Sequence, residues 1–191
     1  MLALPFSAQA TQNILVFGDS LSAAYGIARD ASWVSLMQQA LKRSHPQYQV
    51  INASISGETT AGGIRRIEHA LQQHQPTIVI IELGANDGLQ GTAINTIEKN
   101  LSTLIKQSLK HNARVLLVGM QLPPNYGLKY TSQFRALYPT LAQRYKITLL
   151  PFLLKGLTPE HFQADNLHPN EAGQMPILQN VLPTLRPLLH E

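Results

Sequence analysis

Ser20 lies in the stretch VFGDSLS, residues 16–22, where an apolar run stops at a glycine, a carboxylate and a hydroxyl. A serine hydroxyl becomes a nucleophile only when a neighbouring base takes its proton. The usual base is a neutral histidine held by a carboxylate on its other ring nitrogen. Asp165 and His168, in DNLHPN, can supply both from one turn of chain, because residues three apart share a side of a turn. Pro169 suits the first position of a following helix, which would aim that loop. Attack by Ser20 on a carbonyl would create an oxyanion, which needs preorganised donors. The candidates are the backbone N–H groups of Ser20 and Gly57 and the side-chain amide of Asn86. Gly57 has no β-carbon, so its backbone can approach a ligand closely. Asn86 carries two N–H donors and no charge to repel an anion. Each residue also has an ordinary reading: Ser20 and Asn86 as turn or capping residues, Gly57 as a loop glycine.

Residues so far apart in the chain need a frame that brings them together. Apolar runs of strand length recur at 14–17, 50–51, 77–83, 115–120 and 147–152. Segments with helical spacing lie between them at 33–41, 64–71, 94–109 and 134–145, with a last one after Pro169. Continuous runs such as TIVIIEL and RVLLVGM predict strands buried on both faces, which suits a parallel sheet between helical layers. The expected fold is α/β, a three-layer domain with a five-stranded parallel sheet. Ligands of such sheets bind beyond the carboxyl ends of the strands. Ser20 follows the first strand, Gly57 the second and Asn86 the third, and Asp165 and His168 come from the loop after the last. Their convergence on one rim is the reason to expect an active site there.

Composition excludes other classes. The chain of 191 residues is 44% apolar and 14% charged, which fits one globular domain. No apolar run approaches the ~18 residues needed to span a bilayer. The net charge of +4 comes from scattered Lys and Arg rather than a basic stripe, so no nucleic-acid partner is expected. With no cysteine there is no thiolate nucleophile and no Cys-ligated metal, and no His/Asp/Glu cluster has a persuasive metal geometry. Residues 1–10, MLALPFSAQA, end in Ala8-Gln9-Ala10, the small-x-small pattern of a processing site. They are expected to be the remnant of an export signal, with residues 11–191 forming one domain.

The blocks taken together resemble the SGNH, or GDSL, hydrolase family. Gly18-Asp19-Ser20-Leu21, Gly57, Gly84-x-Asn86-Asp87 and Asp165-x-x-His168 occur in the family's order. Longer stretches, including GDSLSAAYGI, ELGANDGL and LPPNYGLKY, are similar to its bacterial periplasmic thioesterase and lysophospholipase subgroup. The pattern differs from the G-x-S-x-G elbow of α/β-hydrolases, since Ser22 stands where that motif has its last glycine. The resemblance implies a flavodoxin-like sheet, no cofactor and hydrolysis of fatty acyl esters and thioesters. It also implies that Asp19 shapes the turn, while Asp87 is read as an organiser of its loop rather than a catalyst. Ala85 departs from the family, where a second glycine is common, and is expected to narrow the backbone space beside Asn86.

Two further readings concern selectivity. The loop QLPPNYGLKY, residues 121–130, is long, semi-rigid and partly apolar, which predicts a substrate-facing flap. Leu122, Pro123 and Tyr126 are its expected acyl-chain contacts. His161 is the nearby rival to His168 as a base, but it has no aspartate three residues upstream. The expected partner is a small acyl ester, thioester or lysophospholipid met by a monomeric, periplasmic or secreted protein with no stable membrane insertion. The alternatives are a carbohydrate O-acetyl esterase of the same fold and a non-catalytic lipid- or glycan-binding module.

Overall fold

The computed structural model describes residues 11–189; the expected export remnant lies outside the described residues. Five strands form one parallel sheet: β1 (Gln12–Gly18), β2 (Tyr48–Asn52), β3 (Ile78–Glu82), β4 (Arg114–Val118) and β5 (Thr148–Leu150). Their spatial order is β2-β1-β3-β4-β5. Every residue of β3 and Ile14 to Gly18 of β1 are buried, as their continuous apolar runs require. The six helices of the described residues are α1 (Trp33–Ser44), α2 (Thr60–His74), α3 (Ala85–Leu89), α4 (Ile94–Lys110), α5 (Leu128–Tyr145) and α6 (Glu171–Leu185). Helix α1 packs on α6, while α4 packs on both α2 and α5, so the sheet lies between two helical layers. Helix α4 shows how sequence makes such a layer: Ile97, Leu101, Leu104 and Ile105 recur at helical spacing and are fully buried.

The strand order reverses between β1 and β3, which are neighbours although β2 lies between them in sequence. Their two crossovers run to opposite sides and leave a crevice at the carboxyl ends, where ligands of open α/β sheets bind. The turn carrying Ser20 leaves β1 there, and the turn carrying Asn86 leaves β3 beside it.

Three local expectations are corrected. Pro169 does not open the last helix. It pairs with Phe162 in an isolated bridge, and Asn170 caps α6 by accepting from the Gly173 N–H. An asparagine carbonyl satisfies an orphan amide, which proline at the first position cannot do. The region 121–130 is not one long loop, because Pro124–Tyr126 is a 3-10 turn and α5 starts at Leu128. Helix α3, five residues long, was too short to show a periodicity.

Candidate active site

Gly18 ends β1 against Glu82, the last residue of β3. A β-carbon on Gly18 would lie 2.6 Å from Glu82 Oε2 and 2.9 Å from Ser22 Oγ, so only glycine fits. Glu82 is fully buried and anchors the turn from below. Its Oε2 accepts from Ser22 Oγ (2.7 Å) and the Asp19 N–H (3.2 Å), while Oε1 is buried with no partner. Asp19, also buried, accepts the Leu21 N–H at 3.0 Å. Burial pushes the Asp19 carboxyl up to about 6. Burial, and then the neighbouring Asp19 charge, push Glu82 well above the ordinary carboxylate range. Two adjacent buried acids cannot both ionise cheaply, and Glu82 is the member that keeps its proton.

Above this base, Ser20 is aimed at the imidazole. Ser20 Oγ lies 2.9 Å from His168 Nε2, and His168 Nδ1 lies 2.7 Å from Asp165 Oδ2. These distances suit the tautomer with the proton on Nδ1, donated to Asp165, and with Nε2 accepting from the Ser20 hydroxyl. Asp165 Oδ1 accepts the N–H groups of His168 (3.0 Å) and Leu167 (2.9 Å). Those bonds, the His168 amide first and then its ring, hold the Asp165 carboxyl down at about 2. It is therefore a carboxylate at any working pH.

The other predicted donors surround the same opening. Ser20, Gly57, Asn86 and His168 line one cavity of about 490 Å³. Gly57 adopts φ +77°, and a β-carbon there would meet open space, so its requirement is the left-handed backbone rather than close packing. Asn86 is more constrained than its sequence suggests. Its Nδ2 donates to Asp19 Oδ2 (3.1 Å) and to the Glu58 carbonyl (2.9 Å), so both amide hydrogens are engaged in this state. Asp87 accepts from the Thr60 N–H (2.8 Å) and Oγ1 (2.5 Å), tying the Asn86 turn to the start of α2.

The cavity wall is largely apolar. Leu122 and Pro123 line it, joined by Leu89 and Met120. Tyr126 does not reach it. Its hydroxyl donates to the Leu89 carbonyl at 3.1 Å and pins the 3-10 turn to α3. The far wall comes from Phe152 and Leu154 after β5 and from Phe162 and Leu167 before α6, none of which sequence singled out. Apolar residues in loops give no periodic signal. Glu82 was also missed, although a carboxylate at the end of the apolar run TIVII is itself a signal. His161 is no competitor: its Nδ1 accepts the Thr158 N–H at 3.1 Å and closes a capping box. Among the described residues no group of three or more His, Asp or Glu could hold a metal ion, and no helix is long and apolar enough to cross a membrane.

The sequence profile of the GDSL-like lipase/acylhydrolase family matches residues 16–175, spanning all the blocks above. The chain belongs to this family. It is 45% identical over 182 residues to esterase TesA of Pseudomonas aeruginosa, covering 94% of this chain and 90% of that one. It is 38% identical to thioesterase 1/protease 1/lysophospholipase L1 of Escherichia coli K12, covering 100% of this chain and 91% of the relative. The crystal structure of TesA superposes with a TM-score of 0.91 at 45% identity, covering 93% of this chain and 100% of that one. The GDSL-like family therefore accounts for both the sheet topology and the order of the blocks along it.

Proposed function

We propose that this chain is a serine esterase that hydrolyses acyl esters and thioesters through an acyl-serine intermediate. The observation that carries the reading is the continuous Ser20–His168–Asp165 relay, with links of 2.9 and 2.7 Å, at the mouth of a largely apolar cavity. His168 Nε2 takes the Ser20 proton as Oγ bonds to the acyl carbon, and Asp165 steadies the imidazolium. The oxygen that gains charge is met by the Ser20 and Gly57 N–H groups and by Asn86, which exchanges its bond to Asp19 for the new one. Collapse breaks the bond to the leaving alcohol or thiol, which receives the proton from Nε2. Water repeats the cycle on the acyl-serine, giving the carboxylic acid and free Ser20.

The substrates are small esters and thioesters with an apolar acyl part, in keeping with relatives named as an esterase and as a thioesterase and lysophospholipase. The apolar wall speaks against an acetylated carbohydrate. Export to the periplasm completes the reading and rests on the processing pattern at Ala8-Gln9-Ala10. Ser20→Ala, with an unchanged melting curve, is expected to lose about a thousandfold or more in turnover of p-nitrophenyl octanoate and all labelling by a fluorophosphonate. Activity retained by this variant would defeat the assignment.

A further inference from the structure

The relay leaves two contacts of the histidine loop unexplained. The ring of Tyr25 lies against the His168 imidazole, with centroids 4.4 Å apart and planes at 39°. Tyr25 belongs to the loop leaving Ser20 and is flanked by Ala24 and Gly26, both with φ in the left-handed range at 63° and 71°. Glycine takes that conformation freely, but the left-handed Ala24 is a strained backbone that its surroundings must hold. Gln163 does so. Its Nε2 donates to the Tyr25 carbonyl (2.8 Å) and to the Pro169 carbonyl (3.2 Å), and its own N–H donates to the His168 carbonyl (2.8 Å). A β-carbon at Gly26 would collide with the Gln163 amide, so the two loops close directly on one another.

We propose that Tyr25 and Gln163 are positioning residues for His168: Gln163 clips the serine loop to the histidine loop, and the Tyr25 ring stabilises the imidazolium that forms when Ser20 is deprotonated. This rests on the Ser20–His168 reading above. An aromatic face attracts a cation within about 6 Å of its centroid. Tyr25 is half exposed and touches the one ring that becomes charged during the reaction. The other groups facing that ring are the Asp165 carboxylate at Nδ1, the Ser20 hydroxyl at Nε2 and the Asp19 carboxyl acting through space. The bonds at Nδ1 and Nε2 lie at the ring edge, leaving the face to Tyr25.

The test compares Tyr25→Phe, Tyr25→Leu, Gln163→Leu and the double Leu variant, using pH profiles of kcat/KM on p-nitrophenyl acetate and octanoate. Tyr25→Phe keeps the ring and stays within about twofold of the parent. Tyr25→Leu loses about two- to fivefold in kcat on both esters, and its acid limb moves to lower pH by about 0.4–0.7 unit. Gln163→Leu moves the limb in the same direction, and the double variant loses less than the product of the two single losses. An unmoved limb in both single variants overturns the proposal, as does a loss confined to KM for octanoate, which would make Tyr25 only a cavity wall. Multiplicative losses in the double variant overturn the clip. Retained activity in Ser20→Ala would instead defeat the underlying mechanism, so the two failures are distinguishable.

Discussion

Replacing Asn86 with alanine tests the site most sharply, because the size of the effect depends on hydrogen bonds already made. Removing a free oxyanion donor from an enzyme costs about 2.7–4 kcal/mol of transition-state stabilisation. Asn86 is not free: its amide hydrogens lie on Asp19 Oδ2 and the Glu58 carbonyl at 3.1 and 2.9 Å. Serving the oxyanion gives up the bond to Asp19, a bond to a charged group that contributes about 1.5–3 kcal/mol. The difference leaves about 1–2 kcal/mol, or a roughly 5- to 30-fold fall in kcat with KM little changed. The assay is steady-state hydrolysis of p-nitrophenyl octanoate well above pH 6, where Asp19 is ionised, alongside a melting curve. A kcat within twofold of the parent, or a loss carried by KM alone, would refute the donor role. A thousandfold fall in kcat at unchanged stability would refute the argument that the amide is engaged beforehand.

Two other substitutions probe the supports of the site. Glu82→Gln is expected to change the pH dependence of stability. Burial raises the Glu82 carboxyl, so the native state holds a proton that the unfolded chain releases near 4.5. That contribution is whole below 4.5 and is lost as pH rises toward the folded value, by about 1.4 kcal/mol per pH unit across that window. Each such unit corresponds to roughly 3–5 °C of melting temperature, so the midpoint of Glu82→Gln minus that of the parent should rise from pH 5 to pH 9. A difference that stays flat would show that Glu82 is not protonated in the fold. Leu122→Ala should remove contact with about one or two methylenes of an acyl chain, lowering octanoate turnover about 4- to 15-fold relative to acetate. Equal losses on both esters would place Leu122 outside the acyl site.

Much of this protein is legible without coordinates. The runs that become β1 and β3 are continuous and apolar because both faces of a parallel strand are covered, and that constraint is local. The small polar blocks after the strands could be placed on one rim because all parallel strands end on the same side. Boundaries were less legible where the signal was weak. The first turn of α5 carries an exposed Leu128 and a Gly127 cap with no side-chain bond, so neither periodicity nor capping marks its start. Gly62 and Gly63 likewise obscure the beginning of α2, although Thr59 caps it through the Gly62 N–H.

Sequence alone determined which groups are chemically able to act: a serine, a glycine and an uncharged amide in the turns after strands, and an acid and a histidine three residues apart near the C-terminal end. Tertiary structure decided which of them meet. Ser20 and His168 are 148 positions apart, and their 2.9 Å contact exists because β1 lies inside the sheet while the loop before α6 folds back over its end. The same closure builds the far wall of the cavity from Phe152 and Phe162, turns Tyr126 away from it and lays Tyr25 on the imidazole. Propensity and periodicity act between near neighbours, whereas contacts between loops follow from strand order and packing, which no local pattern records.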